Sequence, residues 1–357
     1  MLNHTTRFTA AALACALAPA EAHQGDVRAD GHAPMSVMGD HFHEKGEFML
    51  SYRYMFMDML GNRIGTDAVS PETIVSTVPN PYANPPMSPP TLRVVPTKMT
   101  MDMHMFGAMY APTDWLTLMA MLNYIEKDMD HVTFQGPAGT NRLGEFTTTV
   151  EGWGDLPVTA LIRLGEWGSQ RLHLTAGASM PLGSIDETDQ VLTPMNTTPT
   201  LTLPYPMQLG SGTVDPIAGL TFAGRVDRIG YGAQWRSVFR VGENSAGYTL
   251  GDEHRATAWG SYAFGPAIST SLRLEAFERG NIDGNDARIR APVQTADPAN
   301  QGVSRLDLGI GLNLAGQGAL TGHRLGIEFL VPVRQALDGP QLETDWQLTV
   351  GYQFTLY

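Results

Sequence analysis

Cysteine is all but absent from this 357-residue chain: the single Cys15 lies in an apolar run near the N-terminus. Arg7, the run from Phe8 to Ala18 and the small-x-small tripeptide Ala20-Glu21-Ala22 together read as a secretory leader, residues 1–22, that is cleaved. Ala12 stands where a lipoprotein signal carries leucine, which argues against Cys15 as a lipid attachment point. The mature chain then holds no thiol, which excludes disulfides, thiolate metal sites and cysteine nucleophiles. Long apolar runs are missing as well; no window approaches the roughly 18 consecutive apolar residues of a membrane helix. Basic charge is scarce: 23 Lys and Arg against 36 Asp and Glu give a net charge of -13, the wrong sign for a nucleic-acid partner. Only 17% of residues are charged while 38 are glycine, the composition of a turn-rich β protein and not of a disordered chain. There is no nucleophile-base-orienter set, Gly-rich phosphate loop or His-Glu-x-x-His, so an enzyme is not expected.

What is present is a period of two. From Lys98 to Lys127 apolar residues recur at alternate positions on both sides of Pro112-Thr113-Asp114, the signature of a β-hairpin. If those three residues are the turn, Ala111 pairs with Trp115, Met105 faces Met121 and Gly107 faces Met119. Phe106, Ala108, Tyr110, Leu116, Leu118, Ala120, Leu122 and Tyr124 then share one face, suited to lipid with tyrosines at its two interfaces. A one-residue slip would exchange the faces of one arm, leaving Asp102 and His104 inside and the methionine row outside.

The same rhythm runs through the chain. Strands are expected at 47–58, across the hairpin, and at 146–164, 170–182, 209–223, 228–241, 251–264, 267–278, 304–314, 322–333 and 342–357. Long loops are expected at 59–97, 128–145, 183–207 and 279–302, and shorter connections at 165–169, 224–227, 265–266 and 315–320. About twelve strands with alternating short and long connections predict an all-β fold: a closed antiparallel transmembrane barrel with short periplasmic turns and long extracellular loops. Closure is obligatory, because backbone groups in lipid must pair internally. The last strand alternates Trp346, Leu348, Val350, Tyr352, Phe354 and Leu356 and ends in Tyr357, much like an outer-membrane assembly signal read by the barrel assembly machinery. The domain plan is therefore a leader at 1–22, a periplasmic His/Met-rich arm at 23–45 and an outer-membrane barrel at 46–357.

Three stretches, EGWGDLPVTALIRL (Glu151 to Leu164), SMPLGS (Ser179 to Ser184) and QLGSGTVD (Gln208 to Asp215), resemble those of the bacterial outer-membrane proteins of the phenol-degradation meta-pathway family. The resemblance covers roughly Gly39 to Tyr357. It implies an outer-membrane transporter barrel with no catalytic residues to carry over.

Beyond that pattern the chain is rich in methionine. Met49, Met55, Met57, Met99, Met101, Met103, Met105, Met109, Met119 and Met121 fall on the expected lumen face. Thioethers are adaptable packing material, they select Cu(I) or silver-like ions, and they also make a slippery lining for an aromatic or fatty solute. In the arm, His41 and His43 with Met35 and Met38 form a candidate copper site of neutral ligands; His23 and His32 lie nearby. Asp128, Asp130 and His131 are a further candidate cation cluster, expected in the second loop, and Arg53 a candidate pore charge. The functional expectation is an outer-membrane channel for a small solute, linked to copper or silver ions, with a channel for hydrophobic or aromatic compounds and a non-conducting barrel as alternatives.

Overall fold

The computed structural model describes residues 28–86 and 88–356; the expected leader and His23 lie outside them. Among the described residues no helix is long and apolar enough to cross a membrane, and thirteen strand segments join in one antiparallel sheet. The wall is formed by β1 (Phe48–Gly65), β2 (Val94–Thr113), β3 (Leu116–Phe134), β4 (Arg142–Trp153), β5 (Leu156–Trp167), β6 (Gln170–Met180), β7 (Asp215–Val226), β8 (Ile229–Val238), β9 (Glu253–Ala263), β10 (Ile268–Arg279), β11 (Val303–Ala315) and β12 (His323–Leu356). Eleven of these close a ring through the pairing of β12 with β1, while β4 and the short Asp67–Val69 strand pair at its sides.

Among the boundaries that differ from the sequence reading, two have local reasons. The strand expected at 146–164 is broken at Gly154-Asp155: β4 and β5 both pair with β3, in succession along it. The two strands expected at 322–333 and 342–357 are one 34-residue element, β12. Its first half pairs with β11 and its second with β1, and it folds back on itself near Gly339, which supplies a φ of +65°. Thr355 N to Gly322 O, 2.9 Å, joins its two arms. The expected loop at 128–145 and the stretch 334–341 between the last two expected strands are thus mostly strand, and strict alternation of loop length does not hold. Inside the expected 59–97 loop, Ser70 caps a helix at Pro71–Thr77 by accepting from Thr73 N, and Ile74 and Val75 are buried.

The hairpin register keeps the expected parity with a two-residue offset. Met109 pairs with Met119, Gly107 with Met121 and Met105 with Asn123, after an irregularity between Tyr110 and Thr113. Even positions of β2 and β3 face outward, Phe106 and Tyr110 being 47% and 46% exposed, while Met105, Met109, Met119 and Met121 are buried. Exposed Leu220, Leu272, Ile310 and Ile327 continue the outer apolar belt round the ring. Tyr110, Trp115, Trp167 and Tyr262 mark its rim at the short-turn end, and the Tyr124/Trp153 ring pair (5.2 Å) marks the other. Such a belt with aromatic rims is what a lipid-facing barrel surface requires.

The stretches carrying the family resemblance meet at one junction. Asp155 Oδ1 accepts from Gly183 N at 3.0 Å, and Asp155 Oδ2 accepts from Ser211 N and Oγ at 2.8 Å. Gly183 and Gly210 pass so closely that a Cβ on either would come within 2.6 Å of the other's backbone. Glycine is required there by contact, and the junction ties β5, the end of β6 and the entry to β7 together.

Candidate functional site in the barrel lumen

The lumen holds a stopper made by the chain's own N-terminal segment. Residues 28–47 have no period and no long regular element, yet most are buried. The segment enters at the short-turn end, where Ala29 N donates to Pro266 O at 2.8 Å. It reaches inward at Ser36, whose N donates to Glu328 Oε2 (2.8 Å) and whose Oγ bonds Thr349 Oγ1 (3.0 Å). It then returns past Gly39, whose carbonyl meets His173 Nε2 at 2.8 Å, to His43 N on Thr117 Oγ1 (3.0 Å) and Gly46 N on Ala111 O (2.8 Å). The Met35 side chain fits a hollow left by Gly326 and Gly351, where a Cβ would meet it at 2.4 Å. The expected arm is thus, over its described part, a loop of chain inside the barrel. Nothing in its sequence pattern marks this; the matching signal is the polar and glycine content of the facing strands.

The methionine sector divides into two parts. At the stopper's level Met49, Met109 and Met119 pack with Leu161, and Met55, Met105 and Met121 pack together with Met38, Met57, Met101 and Met103 around them. These sulfurs fill the space between wall and stopper. Farther from the turns, Met57, Met59, Met99, Met101 and Met129 line a cavity of about 280 Å³. Arg53 is buried under the stopper, with Nε 3.4 Å from Met35 Sδ; it is no exposed pore charge, and Met35 is engaged with it. Asp128 and Asp130 lie on β3 and accept from Thr149 and Thr147, both at 2.6 Å, while His131 stacks on Phe146 at 4.6 Å. That trio is divided between strand faces and does not converge.

The cavity's opposite wall was not anticipated. It carries Lys127, Arg255, Arg279 and Arg305 with one carboxylate, Glu253, and Phe277 among them. Lys127 Nζ donates to the carbonyls of Pro206 (2.8 Å) and Gln208 (2.6 Å), and Arg279 Nε to that of Gln301 (3.1 Å). Arg255 and Arg305 pair with Glu275 (3.0 Å) and Asp307 (2.9 Å). Above the cavity the long connections pack on one another through Tyr205, Tyr248, Ile282 and Ile289. The result is a chamber between stopper and cap with one soft wall and one cationic wall. These cations are legible in the sequence only as a lysine and scattered arginines on separate strands.

Burial shapes the stopper's titration. Burial, with Arg324 and His41 as positive neighbours outweighing Asp40, pushes the His32 imidazole down to about 4. The unfolded chain takes up that proton near pH 6.5, so between those values the undocked segment binds more protons and docking weakens as pH falls. The lost stabilisation is on the order of 3 kcal/mol, complete near pH 4 and absent above about 6.5. Hydrogen-exchange protection factors for residues 30–43 are expected to fall between pH 7 and pH 4.5; equal protection would contradict this.

A closed antiparallel barrel with an apolar belt, aromatic rims and a stoppered polar lumen defines an outer-membrane β-barrel protein. Its fold is that of an outer-membrane channel from Pseudomonas putida F1, matched at a TM-score of 0.58 and 13% identity over 90% of this chain and 100% of that one. The P. putida toluene transporter TodX and the Ralstonia pickettii toluene transporter TbuX match at TM-scores of 0.44 and 0.43, with 10% and 11% identity, over 88% of this chain and 91% and 90% of theirs. No family model and no curated protein matches the chain, so the resemblance to the phenol-degradation family rests on the motifs quoted above.

Proposed function

We propose that the protein is an outer-membrane channel for a small organic solute with an apolar, aromatic-sized body and an anionic end. One observation carries this reading: in a chain of net charge -13, the central cavity sets methionines and Phe277 against four cations and a single lining carboxylate, Lys127 and Arg279 being held by carbonyls while Arg255 and Arg305 pair with Glu275 and Asp307. Thioether and ring surfaces take an apolar body without demanding direction, and a cationic low-dielectric wall concentrates anions. The channel of P. putida F1 with this fold supports the class. The methionines nearest the stopper are spent on packing, which favours an organic solute over copper or silver ions. In this reading the short-turn end, with both limbs of the stopper, faces the periplasm and the capped end faces outward. Counting the folded-back β12 as two staves and the broken β4–β5 line as one gives about twelve, the size of a narrow channel and not of a wide porin.

Uptake into proteoliposomes tests it. Benzoate-sized aromatic carboxylates are expected to enter faster than neutral sugars of equal mass, and R279Q is expected to slow the carboxylate several-fold while leaving a neutral aromatic unchanged. Carboxylate uptake identical in R279Q and the unaltered protein would sink the anionic part. No uptake above empty liposomes would sink the channel.

A further inference from the structure

We propose that the stopper contains a binding site for one divalent transition-metal ion of the zinc class, held by His32, Asp40 and His41 with His43 beside them. One potential ligand atom from each of His32, Asp40 and His41 lies within 4.8 Å of the other two, and all three residues are buried. The His32 and His41 rings stand 4.6 Å apart and those of His41 and His43 4.9 Å apart.

The hydrogen bonds prepare these rings as ligands. His41 Nδ1 is 2.7 Å from Asp40 Oδ1, and His43 Nδ1 is 3.2 Å from Glu47 Oε2. A proton held on His43 Nδ1 leaves its Nε2 with a free lone pair, while an ion taken up between His41 Nδ1 and Asp40 would displace the proton that joins them. Metal-bound histidines are commonly oriented in this way, with a carboxylate on the second nitrogen. Both Nε2 atoms are buried and have no hydrogen-bond partner. Leaving a buried polar atom unsatisfied costs about 1–3 kcal/mol, and two in one cluster call for an occupant.

The donor set names the ion class. Imidazole and carboxylate suit zinc, nickel or copper(II), whereas Cu(I) selects thioethers, and the thioethers about the stopper are engaged otherwise, Met35 with Arg53 and Met49, Met109 and Met119 in packing on Leu161. Two ligands on tetrahedral zinc sit about 3.3 Å apart given bonds of about 2.0 Å, so side-chain rotation suffices to close the site. Access exists from the short-turn end through an opening of about 260 Å³ lined by His32, His41, Glu44 and Glu47. His32 lies on the inward limb of the stopper and Asp40, His41 and His43 on the returning limb, so an ion here would clasp the loop at its neck.

The test is Zn²⁺ titration of the detergent-solubilised, chelator-stripped full chain by calorimetry, with Co²⁺ absorption as a second readout. One equivalent is expected to bind, with an intense tetrahedral Co²⁺ band. H41Q and D40N are each expected to weaken binding at least tenfold, with heat-dependent gel mobility reporting that each variant barrel is folded. H23A, which alters a histidine outside the described residues, is expected to bind as the unaltered protein does. No saturable binding, a six-coordinate Co²⁺ spectrum, or loss in H23A but not in H41Q would each overturn the site.

Discussion

Deleting residues 28–45 should turn the stoppered barrel into a steadily open pore. Each ring strand is already hydrogen-bonded on both sides, so the wall does not need the stopper to satisfy its backbone. The stopper contacts strands all round the lumen: Gln234 Nε2 donates to Met38 O (2.9 Å), Arg171 Nη2 to Gly31 O (2.6 Å), Arg324 to Ala33 O, and the Arg163 guanidinium lies 3.9 Å over Phe42. Its loss exposes a lumen lined by arginines, polar residues and methionine, which water enters. Single-channel conductance in planar bilayers is expected to rise severalfold, and cells carrying the deletion should become sensitive to antibiotics too large for the intact channel. Unchanged conductance would assign the seal to the cap around Tyr205 and Tyr248.

The second large effect concerns stability. Arg273 is 3% exposed, its Nε 2.6 Å from Glu328 Oε1 and its Nη1 bonded to Glu275. Glu328 is 1% exposed and also receives Ser36 N. Removing one partner of such a pair strands the other charge, which costs about 3–5 kcal/mol, whereas replacing both with apolar residues of similar size is often nearly neutral. R273A should therefore lower the unfolding temperature seen as a gel-mobility shift far more than R273M/E328M does. E328A should in addition raise hydrogen exchange at residues 33–40, because Ser36 loses its acceptor. Equal destabilisation by R273A and by the double variant would mean that the pair contributes packing and not charge compensation.

The barrel was legible because lipid on one side and a filled lumen on the other impose alternation on every strand. Leu118 and Met119, adjacent in sequence, are 45% and 7% exposed. The turn at Pro112 to Asp114 was misplaced by two residues in register, yet an even offset keeps every face, so the methionine row was correctly oriented. Extents were harder. Asp128 to Phe134 reads as loop because strands standing above the lipid lose their apolar outer face; there Asp128 and Asp130 bond threonines of β4 in place of touching hydrocarbon. The histidines of the stopper were legible by type but not by partner. Met35 and Met38 are near His41 in sequence, whereas the fold brings His32 across from the other limb, and no local spacing encodes a return of chain through a lumen. The cationic wall stayed hidden for a related reason: Lys127, Glu253, Arg279 and Arg305 belong to four strands that only closure assembles.

The route of the stopper has a mechanical consequence. Both of its ends leave through the same rim, near Pro266 and near Ala111, so it can be drawn out without threading and without parting any stave. A pull applied at Ala29, away from that rim, loads its bond to Pro266 first, then the Arg324 grip on Ala33, then Ser36 on Glu328, one contact after another. Bonds broken in sequence yield at low force, as a zip does, while the wall, loaded along its strands, resists in parallel. A partner at the short-turn rim that grasped the segment at Ala29 would uncork this barrel with modest effort and leave it standing.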